Sequence, residues 1–66
     1  MSEKEARAIL QDYREEDEDT GEEYSLTVKE CIYSDGVQFV FRCELNGQET
    51  EYAVMKATKT VLAVPT

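Results

Sequence analysis

The chain has 66 residues, with fifteen acids against seven bases, a net charge of −8, and neither histidine nor tryptophan. That length supports one small domain, residues 1–66, with a thin core that rarely leaves more than roughly 3–5 kcal/mol of net stability. No apolar run approaches the ~20 residues of a membrane span, and Met1-Ser2-Glu3-Lys4-Glu5 lacks the basic-then-apolar order of a signal peptide, so the expected compartment is cytoplasmic.

The charge is unevenly spread. Residues 1–23 carry ten acids and three bases, or −7, and residues 24–66 carry five acids and four bases, or −1. Such a surface repels nucleic-acid backbones and anionic membranes and attracts basic proteins in a salt-dependent way.

Ser2 followed by Glu5 is the S-x-x-E arrangement of a helix N-terminus, in which hydroxyl and carboxylate each satisfy a free backbone donor. Ala6, Ile9, Leu10 and Tyr13 follow at i, i+3, i+4 and i+7, one apolar stripe, with Glu3 and Arg7 placed to pair on the solvent side. The pattern predicts a helix over residues 3–14.

Residues 15–23 put seven carboxylates in nine positions, Glu15, Glu16, Asp17, Glu18, Asp19, Glu22 and Glu23, with no apolar side chain and a Gly to turn the chain. This reads as an acidic loop, either a solvated, self-repelling linker or a patch that binds a basic partner. A calcium loop is excluded, because counting from Asp17 places Val28 where the twelfth-position Glu belongs.

Residues 24–33, 37–45 and 48–56 read as strands of an antiparallel meander, joined by Asp35-Gly36 and Asn46-Gly47. Taking Asp35-Gly36 as a two-residue type I′ turn pairs Ser34 with Val37, Ile32 with Phe39, Val28 with Cys43 and Leu26 with Leu45, all on one face. Asn46-Gly47 places Phe41 opposite Tyr52 and Phe39 opposite Val54, on the same face. One misfit remains: Glu30 falls on the apolar face opposite Phe41, which calls for a bulge near Lys29-Glu30 or an exposed edge there.

The other face carries a charged row of Lys29, Arg42 and Glu51, in which Arg42 and Glu51 support each other. Beside it lies an apolar strip of Cys31, Val40 and Ala53, with Tyr33, Gln38 and Met55 beyond. That face is either ordinary half-covered sheet surface or a contact patch, formed by Cys31, Tyr33, Val40, Ala53 and Met55, for a partner or a second copy. Residues 60–64 read as a short, mostly buried fourth strand, and a hairpin return beside the third strand is the favoured placement. The expected fold class is therefore α+β: an N-terminal helix packed on one face of a three- to four-stranded antiparallel β-meander.

The two cysteines sit about three residues out of register on neighbouring strands, on opposite faces, so both are expected to be free thiols that serve packing. With no histidine, no C-x-x-C spacing and no Gly-rich phosphate loop, nothing supplies a metal site, a cofactor site or a base held against a nucleophile, and no enzyme is expected. Direct nucleic-acid binding is disfavoured as well, since Phe39, Phe41 and Tyr52 belong to the core and the charge has the wrong sign.

The order of helix, meander with Asp35-Gly36 and Asn46-Gly47 turns, and final short strand loosely resembles PepSY and similar small inhibitory domains. In size and charge the chain also resembles the small acidic proteins of phage and other mobile elements, such as anti-restriction or anti-CRISPR inhibitors. Two functions follow as expectations. One is a non-enzymatic inhibitor whose residues 15–23 stand in for phosphates in the basic groove of a nucleic-acid-binding protein. The other is a PepSY-like structural or regulatory module acting through sheet-face contact or homodimerisation.

Overall fold

The computed structural model describes residues 1–64. Helix α1 (Glu3–Asp12) is followed by a small hairpin of β1 (Arg14–Glu16) and β2 (Glu23–Ser25). A four-stranded antiparallel sheet follows, with β3 (Thr27–Ser34), β4 (Gln38–Leu45), β5 (Gln48–Met55) and β6 (Val61–Val64) in the order β3-β4-β5-β6. The α+β architecture matches the expectation, including the hairpin return of the last strand.

The helix begins where Ser2 predicts, its hydroxyl accepting from the Glu5 amide at 3.2 Å. It stops at Asp12, two residues earlier than its periodicity suggests. The acids that follow are unfavourable at the negative end of a helix dipole. Tyr13 turns extended, and the Arg14 guanidinium donates back to the carbonyls of Gln11 and Tyr13, both at 3.0 Å. Arg7 does not pair with Glu3: it lies 5.3 Å from the Phe41 ring centroid and reaches the Val28 carbonyl at 3.5 Å.

The helix stripe closes the core face of the sheet. Ala6 and Leu10 meet Phe39, Phe41, Cys43, Tyr52 and Val54, with Ile9, Tyr13, Val28 and Cys31 packed around them. Phe41, Leu10, Val54 and Cys43 are fully buried, and each larger apolar side chain removed from water contributes about 1.5–3 kcal/mol.

The two turns behave differently. At Asn46-Gly47 both residues have positive φ, 53° and 82°, the type I′ geometry, and Phe41 faces Tyr52 and Phe39 faces Val54 as predicted. At the other hairpin the expected register holds only far from the turn, where Val28 faces Cys43. Near the turn Ser34, not Ile32, faces Phe39. Asp35 is the reason. Its carboxylate accepts from the amides of Val37 (2.8 Å) and Gln38 (2.9 Å) while its own amide donates to the Gln38 carbonyl at 3.0 Å, so Asp35 and Gln38 form the last pair and Gly36-Val37 the bend.

The difference of two residues is absorbed by two irregularities in β3, one between Val28 and Cys31 and one between Cys31 and Tyr33. The first resolves the Glu30 misfit, since Glu30 leaves the core face and pairs with Arg42 at 2.7 Å, displacing the expected Arg42–Glu51 support. The second leaves Ile32 out of the ladder and 38% exposed. Between them Cys31 turns to the core side opposite Phe41, against the expected placement on the outer face. Leu26 is buried in the core between β2 and β3 but does not enter the ladder opposite Leu45.

Candidate functional site

Only the middle of the acidic segment, residues 17–22, is a loop, and its two ends are strands. Glu15 pairs with Tyr24 and Glu16 with Glu23 in the β1–β2 hairpin, and the bend is closed by a backbone bond from Asp17 to the Glu22 carbonyl at 2.8 Å. The Asp17 carboxylate accepts from the Asp19 amide at 2.8 Å and the Thr20 hydroxyl from the Glu22 amide at 3.2 Å. Gly21, at φ 73°, takes the left-handed position, with its amide on the Asp17 carbonyl at 2.8 Å. This turn chemistry was present in the sequence, but the strands on either side carry almost no apolar residues to reveal them.

An isolated two-stranded hairpin is marginal in water, and this one sets Glu16 directly opposite Glu23, a like-charge pair that opposes folding. Its anchor is Glu15. Oε2 of that carboxylate accepts from the Tyr52 hydroxyl at 3.0 Å and from the Tyr13 hydroxyl at 3.2 Å, and the two rings lie 5.9 Å apart in a tilted pair. Burial, then the bond to Glu15 and its charge, push the Tyr52 phenol from its ordinary 10.0 up to about 12. Tyr13 is raised as well, by burial first, then by the charge of Glu15 and the bond to it. Glu15 thus belongs to the scaffold, and the spacing of Tyr13 and Tyr52 in the chain gave no sign of it.

The remaining carboxylates face water. Glu16, Glu18, Asp19, Glu22 and Glu23 are exposed and Asp17 is half-buried. Tyr24 donates its hydroxyl to Glu22 at 2.8 Å, which orients that side chain and raises the phenol. Between the hairpin and the β4–β5 turn lies a cleft of about 250 Å³, lined on one side by Glu15, Glu16, Asp17 and Tyr24 and on the other by Leu45, Asn46 and Gln48. At about 3.3 Å per residue, the five positions from Arg14 to the tip span roughly 16 Å. Six outward carboxylates over that length give about one charge per 2.7 Å, against about one per 1.7 Å in duplex DNA.

The outer sheet face is less open than expected. Val40 and Ala53 are buried and Met55 is half-buried, while Cys31 has left that face; of the predicted contact residues only Tyr33, 52% exposed, stands clear. Leu62, 54% exposed and opposite Ala53 in β6, extends the same row and was not singled out from the sequence, where the final strand reads as mostly buried.

Both cysteines are free, and burial pushes the Cys43 thiol above its ordinary range, as in a thiol packed among apolar side chains. Among the described residues no group of three or more His, Cys, Asp or Glu side chains is arranged to hold a metal ion, and no helix is long and apolar enough to cross a membrane. No protein family, curated protein or solved structure matches the chain, so its likeness to PepSY-type domains and to mobile-element inhibitors rests on element order, size and charge.

Proposed function

We propose that this protein is a non-enzymatic inhibitor that presents its β1–β2 hairpin to the basic groove of a nucleic-acid-binding protein, with Glu16, Asp17, Glu18, Asp19, Glu22 and Glu23 standing in for phosphates. The observation that carries the reading is Glu16 opposite Glu23 on an anchored hairpin. A small domain with little stability to spare keeps a repulsive cross-strand pair, and local rules are broken most often where function requires it. A basic partner would relieve that repulsion on binding.

The charge density, lower than that of duplex DNA but of the same order, supports the same reading. So does the cleft beside the hairpin, which offers carboxylates and the Tyr24 phenol to an arginine of the partner. Anchoring through Glu15 spares part of the ordering cost that a mobile acidic tail would meet on binding.

A competition assay tests this. The protein is titrated into complexes of fluorescent duplex DNA with a panel of basic nucleic-acid-binding proteins, at low and high salt. The expected result is displacement of DNA from at least one of them, weakening steeply with salt and lost when Glu16, Glu18, Asp19, Glu22 and Glu23 are changed together to Gln and Asn. Equal displacement by that variant, or no displacement from any panel member, overturns the reading.

A further inference from the structure

The sheet has two edges, and they differ in kind. The β3 edge is broken by two irregularities and carries Lys29 and Glu30, with Lys29 held by Glu44 at 3.1 Å. These are the devices by which native edges avoid pairing with another chain. The β6 edge, Val61-Leu62-Ala63-Val64, is regular, uncharged and apolar, and among the described residues no strand covers it.

The register identifies which backbone groups of β6 are free. Met55 donates its amide to the Thr60 carbonyl at 2.9 Å, so hydrogen-bonded pairs alternate from there to Ala53–Leu62 and Glu51–Val64. The type I′ turn at Asn46-Gly47 gives the same parity from the other side, since Thr50, Tyr52 and Val54 bond to β4 and leave Glu51 and Ala53 for β6. The N–H and C=O groups of Val61 and Ala63 therefore point away from the sheet.

We propose that β6 pairs antiparallel with β6 of a second copy, about a two-fold axis at Leu62. In this register Val61 faces Ala63 of the second copy and Ala63 faces Val61, so all four outward groups of each strand exchange bonds, and Leu62 meets its own copy in a close, non-hydrogen-bonded pair. The apolar row Tyr33-Val40-Ala53-Leu62 then runs unbroken through the axis into the same row reversed.

The uncharged seam favours the second copy over the basic partner of the hairpin. The seam brings together only Thr60, Val61, Leu62, Ala63 and Val64, none of them charged, so a strand rich in Lys or Arg finds no counter-charge within it. Two chains of −8 nevertheless repel at long range, so association strengthens as salt rises, the opposite of what the hairpin's binding to a basic protein does. Four residues bury far less than a standard interface of about 1,600 Å², and dissociation constants on the order of 0.1–1 mM are expected.

The experiment joins sedimentation equilibrium to amide hydrogen exchange on the intact protein. A monomer–dimer equilibrium that tightens with salt is expected, with protection of the Val61 and Ala63 amides rising with protein concentration while that of Leu62 stays constant. Ala63→Pro removes only an outward N–H, which an edge strand tolerates, and weakens association by about tenfold or more. Leu62→Glu sets two carboxylates together at the axis and does the same. A monomer at millimolar concentration, a dimer unaffected by Ala63→Pro, or Val61 and Ala63 amides that exchange independently of concentration overturns the proposal. The exchange measurement on the unaltered chain decides even where a variant fails to fold.

Discussion

The Tyr52 hydroxyl donates to Glu15 Oε2 at 3.0 Å, a bond between residues 37 positions apart that ties the acidic hairpin to the middle of the sheet. Tyr52 is 4% exposed, so removing its acceptor leaves a buried hydroxyl unpaired. Glu15→Ala is expected to cost about 1–3 kcal/mol, the penalty of leaving a buried polar group without a partner. At about 4–8 °C per kcal/mol for a domain of this size, thermal unfolding followed by circular dichroism reads this as a clear fall in Tm. Glu15→Gln, which keeps an acceptor oxygen, should lose less.

The same contact sets a response to alkali. A phenol whose value in the folded state lies above its unfolded one contributes stability that is complete below the unfolded value and lost as pH rises through the folded one. For Tyr52 that window runs from 10.0 to about 12. Ultraviolet titration of the phenolate should show one tyrosine ionising near the top of this window. Burial is its first cause, so Glu15→Ala should lower the value without restoring the ordinary one.

Replacing one member of the Glu16–Glu23 pair separates stability from binding. Glu23→Lys turns repulsion into attraction and is expected to stabilise the fold by roughly 0.2–1 kcal/mol in denaturant titrations while weakening displacement of DNA from the partner. A variant that gains stability and competes as well as before would detach the repulsion from function.

The glycines of the two meander turns, equivalent in a reading of the chain alone, should respond oppositely. Gly47 sits at φ 82°, where an alanine is strained by about 1–2 kcal/mol even though its Cβ would meet nothing within 4 Å. Gly36 has no positive φ and open space around it, so Gly36→Ala should be neutral or stabilising by about 0.4–1 kcal/mol. Paired chemical denaturation curves check both.

That contrast shows where the fold was legible. Asn46-Gly47 is a strong local signal, and the Phe41–Tyr52 and Phe39–Val54 pairs follow from it. Asp35-Gly36 carries a second possibility, an aspartate that caps amides from the first corner of the bend, and side-chain hydrogen bonding decided between them. The Glu30 misfit correctly marked a bulge, but a single bulge would have left the turn out of step, and the second, at Ile32, has no polar residue to announce it.

The candidate site was legible as charge and illegible as structure. Residues 15–23 have the composition of a mobile linker, and what orders them, two phenols on Glu15, comes from the end of the helix and the middle of β5. Such an anchor leaves no periodic trace. The outer-face patch was misjudged for a related reason: the irregularity before Cys31 turned that residue inward, while pairing with β5 set Leu62 outward.

The central claim is that the carboxylates form an ordered array held on the sheet. Backbone ¹⁵N relaxation tests it most directly. Order parameters for residues 16–23 near 0.85, like those of a rigid backbone and level with β4 and β5, are predicted, and they should fall selectively in Glu15→Ala. Values below about 0.6 across the segment in the unaltered protein would contradict the account.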